Sequence, residues 1–288
     1  MQTTHARRSR TRGRNTNGHP SQRRTFTGSG RNFSRGRSGG RERKQRVMPT
    51  FDPTQFINKN PVAVTEEAYV PTHTFADFAI DGRLKRALEN AGISTPTPIQ
   101  DQAIPHILAG KDIVGLAETG TGKTAAFLLP LIERKKHDVK AQTLILAPTR
   151  ELAQQVDAEL KKLTKNFRFY STVCVGGTNI NPQIRQLKRE NQFIIGTPGR
   201  VKDLMERGAL NTDRITSVVL DEADRMLDMG FIHDMRKILA TLPAHRHTLF
   251  FSATMDEKTQ ALVHDFMDDP VIVSVKKKDV TDSIAQDV

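Results

Sequence analysis

The chain has 288 residues and a formal net charge of +12, and only 36% of its residues are hydrophobic, which is low for a compact domain. Its one cysteine excludes an intramolecular disulfide, and no apolar run approaches the roughly 20 residues of a membrane-spanning helix. Because the N-terminus also lacks the apolar core of a secretory signal, a cytoplasmic location with no membrane partner is expected.

The positive charge is concentrated in residues 1–47, which hold thirteen arginines, one lysine and one glutamate. Their net charge of +13 exceeds that of the whole chain, so residues 48–288 are close to neutral. This Arg-, Gly- and Ser-rich composition offers too little apolar surface to offset the entropy of ordering, which predicts a disordered arm. Arg-Gly steps near Phe26 and Phe33 favour phosphate contacts and base stacking. A mitochondrial transit peptide is the alternative.

Residues 48–72 are predicted to be a linker, since they contain Pro53, Pro61 and Pro71. From residue 73 to 276 the pattern predicts one folded domain of about 200 residues. Helical periodicity is seen in two stripes, at Leu84, Ala87, Leu88 and Ala91 and at Leu152, Val156 and Leu160. Short β-branched runs are found at 112–116, 143–147, 171–175, 193–196, 217–221, 247–251 and 271–275. Strands that alternate with helices predict an α/β fold, with a parallel sheet covered by helices on both faces.

A phosphate-binding loop is predicted in the segment 112–124, which reads DIVGLAETGTGKT. The glycines allow successive backbone N–H groups to point at phosphate oxygens, and the helix that follows adds the positive end of its dipole. Lys123 is expected to reach the β- and γ-phosphates, and the Thr124 hydroxyl to bind Mg²⁺. The predicted nucleotide contacts of this segment are Ala117, Glu118, Thr119, Gly120, Thr121, Gly122, Lys123 and Thr124.

A phosphate-binding loop of this kind needs a carboxylate on a neighbouring strand, and the segment 217–224, SVVLDEAD, provides two. Asp221 follows a buried apolar run and is expected to hold Mg²⁺ through water. Glu222 is expected to orient and polarise the attacking water. Alone, these acids are equally explained as the start of the next helix, but with the loop they favour catalysis. Lys123, Asp221 and Glu222 are therefore the predicted catalytic residues.

The nine histidines show no metal-ligand spacing. His245 and His247 flank Arg246 in a segment that resembles a loop. A solvated surface pair is expected there rather than a zinc site.

The four residues from Asp221 to Asp224, DEAD, resemble the signature of the DEAD-box RNA helicases. Further motifs of that family's first domain occur before and after these residues, in the expected order. They are GISTPTPIQ at 92–100, the loop at 117–124, PTRELA at 148–153, Gly176-Gly177, TPGR at 197–200 and Ser252-Ala253-Thr254. The resemblance covers roughly residues 75–288. It implies a RecA-like fold and an ATP-dependent RNA helicase, with RNA-stimulated ATP hydrolysis coupled to unwinding or remodelling of RNA.

The resemblance also assigns roles outside the phosphate loop. Phe75 stands where the family has an adenine-stacking aromatic residue, and Gln100 is implied to pair with the adenine edge, which favours ATP over GTP. Ile93 departs from the family, which often has an aromatic residue there. Coupling between nucleotide and RNA is implied for a third set of residues. These are Asp224, Ser252 and Thr254.

The implied RNA contacts combine backbone N–H groups, small hydroxyls and two guanidinium groups. Such groups bind sugar and phosphate and read no bases, so RNA binding with little sequence preference is expected. The implied contacts are Pro148, Thr149, Arg150, Gly176, Gly177, Thr197, Gly199 and Arg200.

The family's second domain supplies arginines to the transition state, and no HRxGRxxR-like string occurs in this sequence. Residues 277–288 resemble the start of the linker to that domain, so the chain is expected to be the N-terminal half and to hydrolyse ATP slowly alone. Two alternatives remain. The first is an RNA-binding adapter or chaperone that acts through the arm, with a weak or switch-like ATP site. The second is a DNA-directed ATPase, which the RNA-helicase motifs disfavour.

Overall fold

A computed structural model describes residues 69–275 of the chain. The predicted arm at 1–47, residues 48–68 of the predicted linker and the predicted linker start at 277–288 lie outside the described residues. The predicted domain at 73–276 lies within the described residues except for residue 276.

The described residues form one seven-stranded sheet in which all paired strands are parallel, in the order β3-β4-β2-β5-β6-β1-β7. Each strand coincides with one of the seven apolar runs in the sequence. The strands are β1 (Ile113–Ala117), β2 (Gln142–Leu146), β3 (Ser171–Cys174), β4 (Phe193–Gly196), β5 (Ile215–Leu220), β6 (His247–Ser252) and β7 (Val271–Val275). The predicted parallel α/β fold is confirmed.

Helices connect the strands, as parallel pairing requires. They are α1 (Gly82–Asn90), α2 (Pro98–Leu108), α3 (Lys123–Lys135), α4 (Arg150–Leu163), α5 (Ile180–Leu187), α6 (Pro198–Glu206), α7 (Ala223–Asp228), α8 (Ile232–Thr241) and α9 (Glu257–Phe266). Among the described residues, no helix is both long enough and apolar enough to cross a membrane.

Two apolar layers sandwich the sheet because side chains alternate between its faces. On β1, Ile113 packs into the layer that includes α1 to α4, whereas Val114 packs into the layer that includes α6 to α9. The first layer centres on Phe127 and Phe251, whose ring centroids are 5.5 Å apart. Gly115 makes this close packing possible, since a Cβ there would collide with the Phe251 ring.

The N-terminal end of β6 is fastened to the segment before β1 by a buried histidine. His247 is 5% exposed, and its Nε2 donates to the Lys111 carbonyl at 2.7 Å. Next to it, the Thr248 N–H donates to the Asp112 carboxylate at 2.8 Å. The expectation that His247 belongs to a solvated surface pair is therefore wrong, although His245 is exposed. Burial lowers the pKa of His247 to about 4.

This histidine gives the fold a defined pH dependence. Below about pH 6.5 this histidine binds a proton in the unfolded chain but not in the folded one. Stability is therefore lost as the pH falls from about 6.5 to about 4. Between pH 7 and pH 4, we expect the unfolding free energy of the unaltered chain to fall by about 3 kcal/mol more than that of the His247→Gln variant. Urea titrations followed by circular dichroism measure this difference. His245→Gln, the exposed control, should follow the unaltered chain, and equal pH dependence in all three proteins would contradict the assignment.

Candidate active site

The loop between β1 and α3 has the backbone shape that a phosphate requires. Gly120 and Gly122 have φ angles of 84° and 93°, in the left-handed region that favours glycine. The Thr121 hydroxyl donates to the Glu118 carbonyl at 2.7 Å and closes the turn. Since α3 begins at Lys123, the positive end of its dipole lies at this turn. The turn at 117–124 thus has the predicted shape, while its binding of phosphate stays a prediction.

Lys123 is buried at the base of the loop. It is 6% exposed, and its Nζ donates to the Ala117 carbonyl at 2.9 Å. Among the described residues, no carboxylate lies within 4.0 Å of this ammonium group. Two of its three N–H donors are thus available to an anion beside the loop.

Asp221 follows β5 and carries a buried carboxylate oxygen without a protein partner. The residue is 2% exposed, and its Oδ1 has no hydrogen-bond partner. Burial raises the pKa of Asp221 to about 6, against the opposing effect of Lys123. A buried carboxylate oxygen without a donor is costly unless a cation or water meets it. The donor set of Asp221 and the Thr124 hydroxyl therefore fits Mg²⁺, which prefers oxygen ligands and retains water.

Glu222 is held beside the phosphate loop by two donors. Its carboxylate accepts from the Thr119 hydroxyl at 3.2 Å and from the Arg225 guanidinium at 3.2 Å. The backbone of Glu222 has a φ angle of 50°, which is costly for a residue other than glycine. The side chain is buried, with 7% of the residue exposed. This strained turn aims a carboxylate at the loop that carries Thr119.

Asp224 contacts the segment after β6. Its Oδ2 accepts from the N–H groups of Ala253 and Thr254, each at 3.0 Å, and from the Thr254 hydroxyl at 3.2 Å. The Asp224 N–H donates to the Ser252 hydroxyl at 3.3 Å. The three residues predicted to couple nucleotide and RNA are thus in contact, while the coupling itself stays a prediction.

Gln100 is buried between the phosphate loop and its own helix. Its Nε2 donates to the Gly122 carbonyl at 3.0 Å, and its Oε1 accepts from the Thr97 N–H at 3.0 Å. Each group retains one further hydrogen-bonding position, so pairing with adenine stays a prediction. Phe75 is 6% exposed and packs with Phe78 in an edge-on arrangement at 5.9 Å. Its stacking on adenine also stays a prediction.

Asp101 fastens the segment that leads to Phe75 onto α2. Its carboxylate accepts from the Tyr69 hydroxyl at 2.6 Å and from the N–H groups of Thr72 and His73 at 2.8 and 3.0 Å. Burial raises the pKa of Asp101, but these hydrogen bonds outweigh burial and hold it below its ordinary value. Two adjacent residues of α2 therefore make separate contacts. Gln100 contacts the loop between β1 and α3, and Asp101 holds the segment that leads to Phe75.

The predicted RNA contacts follow β2, β4 and β3, the three strands at one side of the sheet. Thr149 caps α4 by accepting from the Leu152 N–H at 3.2 Å. The Arg150 guanidinium lies against Gly177, where a Cβ would collide with it. Arg200 donates to the Thr178 carbonyl at 3.1 Å, and its Nη1 is buried without a partner. The structure thus brings together the segments that contain Pro148, Gly176, Thr197 and Gly199 at one edge.

Two features of the site were not predicted from the sequence. Arg225 lies one helical turn after Glu222, and that spacing was a signal available in the sequence. Asp101 gave no such signal, since its partners lie about thirty residues earlier in the chain.

Comparisons with known proteins agree with this fold. The chain is 46% identical over 209 residues to the DEAD-box ATP-dependent RNA helicase CshA of Bacillus cereus, covering 72% of this chain and 40% of that protein. It is 47% identical over 210 residues to the RNA helicase CrhR of Synechocystis, covering 73% and 43%. The chain thus spans less than half the length of these relatives.

A DEAD box protein from Methanococcus jannaschii has a similar structure, with a TM-score of 0.69 and 39% identity over 72% of this chain and 57% of that one. A hypothetical ATP-dependent RNA helicase from Sulfolobus tokodaii gives a TM-score of 0.64 and 32% identity, covering 68% and 57%. The family model for the DEAD/DEAH box helicases matches residues 97–262. Since this match covers more than half of its residues, the chain belongs to the DEAD/DEAH box helicase family.

Proposed function

We propose that the chain is the ATP-binding half of an ATP-dependent RNA helicase that couples ATP hydrolysis to the remodelling of RNA. The observation that carries the proposal is the hydrogen bond between Thr119 and Glu222, because it fixes a carboxylate beside the phosphate loop. Asp221, with its unpartnered oxygen, lies next to Glu222 in the sequence. A glycine-rich loop, a buried lysine and two such carboxylates support ATP hydrolysis rather than binding alone.

The loop and Lys123 bind the phosphates. Backbone N–H groups of the turn and the N-terminus of α3 attract the negative charge of the phosphate chain. Lys123 directs its two available N–H donors at phosphate oxygens, which are strong acceptors for an ammonium group, and keeps its contact with the Ala117 carbonyl. Burial of Lys123 strengthens this attraction because water screens it poorly there.

Asp221 and Thr124 hold Mg²⁺ in this proposal. When bound, the ion neutralises negative charge on the β- and γ-phosphates. The raised pKa of Asp221 reflects a carboxylate that lacks a counter-ion in its buried position, since burial outweighs the effect of Lys123. The protein therefore contributes a binding position that favours a cation.

Glu222 positions the attacking water and accepts its proton. A carboxylate acts well as a base only if it is held in one orientation. The Thr119 hydroxyl and the Arg225 guanidinium each donate to a different oxygen of Glu222 and so restrict its rotation. Thr119 is thus assigned a positioning role in addition to its predicted contact with ATP.

RNA binds at the neighbouring part of the same edge, after β2, β3 and β4. The exposed Arg150 and the partly buried Arg200 supply charge, while the turn at Gly177 lets the backbone approach a phosphate closely. The unpartnered Nη1 of Arg200 offers a donor for a sugar or phosphate oxygen. Such contacts recognise the strand rather than its sequence. Asp224 joins the ends of β5 and β6 through its bonds to Ser252 and Thr254, and it is assigned the coupling of the nucleotide site to RNA.

The base preference of the site is tested with Gln100. Calorimetry should show ATP or ADP binding to the chain and much weaker binding of GTP. Gln100→Ala should weaken ATP binding by about 1–3 kcal/mol, since it leaves a buried polar partner unpaired. Gln100→Glu keeps the oxygen that accepts from the Thr97 N–H and loses the N–H that donates to the Gly122 carbonyl. It therefore removes the contact with the loop while the contact with Thr97 is retained. Equal affinity for ATP and GTP would contradict the adenine assignment.

Catalysis is tested with Glu222 and Lys123. ATP hydrolysis is measured for the chain mixed with the C-terminal half of a relative such as CshA, with and without single-stranded RNA. Glu222→Gln should lower RNA-stimulated turnover by about 10²–10⁴-fold while ATP binding persists, because the amide retains the shape and loses the charge. Lys123→Ala should weaken ATP binding itself. Glu89→Gln, an exposed control, should change neither. Normal turnover by Glu222→Gln would mean that another group is the base.

The positioning role of Thr119 gives a separate prediction. Thr119→Val removes the hydroxyl at nearly constant volume and should lower kcat roughly tenfold or more with little change in the Kd for ATP. Thr119→Ser retains the hydroxyl and should restore most of the rate. The same assay with the C-terminal half of CshA measures both variants. Unchanged kcat in Thr119→Val would show that the bond does not position Glu222.

A further inference from the structure

A groove lies at the amino ends of β2, β4 and β5, at the edge of the sheet opposite the ATP and RNA residues. We name it the amino-edge groove. It has a volume of about 500 Å³ and is lined by three residues of the segment 139–142, seven of the segment 187–194 and five of the segment 208–214, together with Arg168. The strands between the two edges contain four to six residues. At about 3.3 Å per residue, roughly 13–20 Å separates the groove from the other edge.

The amino-edge groove is strongly basic, although the folded part of the chain is nearly neutral. Five exposed cationic side chains line it, against one carboxylate, Glu190. Among residues 69–275, no carboxylate lies within 4.0 Å of any of the five cationic groups, whereas nine ion pairs of lysine or arginine with carboxylates form elsewhere. The five are Lys140, Arg168, Lys188, Arg189 and Arg214.

Amide side chains hold the floor of the groove in place. Gln192 accepts from the Tyr170 N–H at 2.8 Å and donates to the Val139 carbonyl at 3.2 Å. Gln142 donates to the Asn191 carbonyl at 3.0 Å. These bonds join the starts of β2, β3 and β4, so the groove keeps its shape without a ligand and binding needs little reorganisation.

An aromatic side chain stands beside these cations. Tyr170 is 59% exposed, although its backbone is fixed by Gln192 and by the Phe193 N–H. It lines a second depression of about 270 Å³, which shares Arg189, Glu190 and Asn191 with the amino-edge groove. Exposed aromatic rings beside arginines are typical of surfaces that stack unpaired bases and bind phosphates.

We infer that the amino-edge groove binds a second segment of single-stranded RNA, with phosphates on the five cations and a base on Tyr170. The choice of RNA rests on the proposed function, since charge alone would also fit an acidic peptide. Tyr170 favours RNA because a peptide of Asp and Glu gains nothing from an aromatic face. The groove is separated from the predicted RNA contacts by the length of the strands, so it takes a different part of the strand.

The cations are tested in the full chain with oligouridylate, a single-stranded RNA without stable pairing. Arg189→Ala combined with Arg214→Ala removes two proposed phosphate contacts. The slope of log K against log salt concentration should become shallower by about 1.4, since each lost contact with single-stranded nucleic acid removes about 0.7. Arg86→Ala combined with Lys237→Ala removes the same charge from exposed positions outside the groove and should leave the slope nearly unchanged.

Tyr170 is tested in the same titration. Tyr170→Ala should weaken oligouridylate binding roughly fivefold or more, while Tyr170→Phe, which keeps the ring, should bind like the unaltered chain. The expected pattern is thus a shallower slope for the arginine variant and loss of affinity for Tyr170→Ala alone.

Identical slopes for the groove and control variants would overturn the inference. The inference would also be overturned if the groove substitutions left oligouridylate binding unchanged and abolished only competition by polyglutamate. The occupant would then be an acidic peptide. Arg150→Ala combined with Arg200→Ala separates the two proposals. If these variants weaken oligouridylate binding and the groove variant does not, only the groove assignment fails. If neither set weakens binding, the proposed RNA path fails as well.

Discussion

All seven strands run in the same direction, and this constraint determines where chemistry can occur in the molecule. Parallel pairing places the carboxyl ends of β1, β5 and β6 side by side, with the phosphate loop, Asp221 and Ser252 following those ends. Three of the remaining strands, β2, β3 and β4, present the residues proposed to bind RNA at the same edge. The proposed nucleotide and RNA sites are therefore neighbours because of strand order, and the bonds of Asp224 join the segments that follow β5 and β6.

Burial makes two charged side chains unfavourable in the part of this edge proposed to bind the nucleotide. Lys123 and Asp221 are both nearly inaccessible to water, and neither forms an ion pair of 4.0 Å or less among the described residues. Charges in such positions are costly until ligands of opposite sign arrive. In the proposed function, ATP would supply anionic oxygens for Lys123, and a divalent cation would supply charge for Asp221. Part of the binding free energy in the proposed function thus comes from relieving an unfavourable arrangement in the free protein.

The fold was predictable because its signals are local. Apolar runs marked all seven strands, and the glycines of the phosphate loop revealed a turn that needs positive φ angles. The bonds from Thr119 to Glu222 and from Asp101 to Tyr69 were not predictable, since they join residues far apart in the sequence. His247 was misjudged for a related reason. Its neighbours in sequence are polar, while its burial comes from the segment before β1.

The cations of the amino-edge groove show the same limit, since they are spread over several separate loops and become a cluster only in the folded sheet. The periodicity of single helices was partly informative. Leu84 and Leu88 are buried as their spacing predicts, but Ala91 lies beyond the end of α1 and is exposed.

The position of β1 in the sheet has a consequence for synthesis on the ribosome. This strand carries the phosphate loop, and its two neighbours are β6 and β7, the last strands of the described residues. A nascent chain that has exposed only β1 to β5 can pair β2, β3, β4 and β5 with one another, because those strands are adjacent in the sheet. It cannot yet place β1. The half of the sheet proposed to bind RNA can therefore form early, and the proposed nucleotide site is completed only when the final strand of the described residues has emerged.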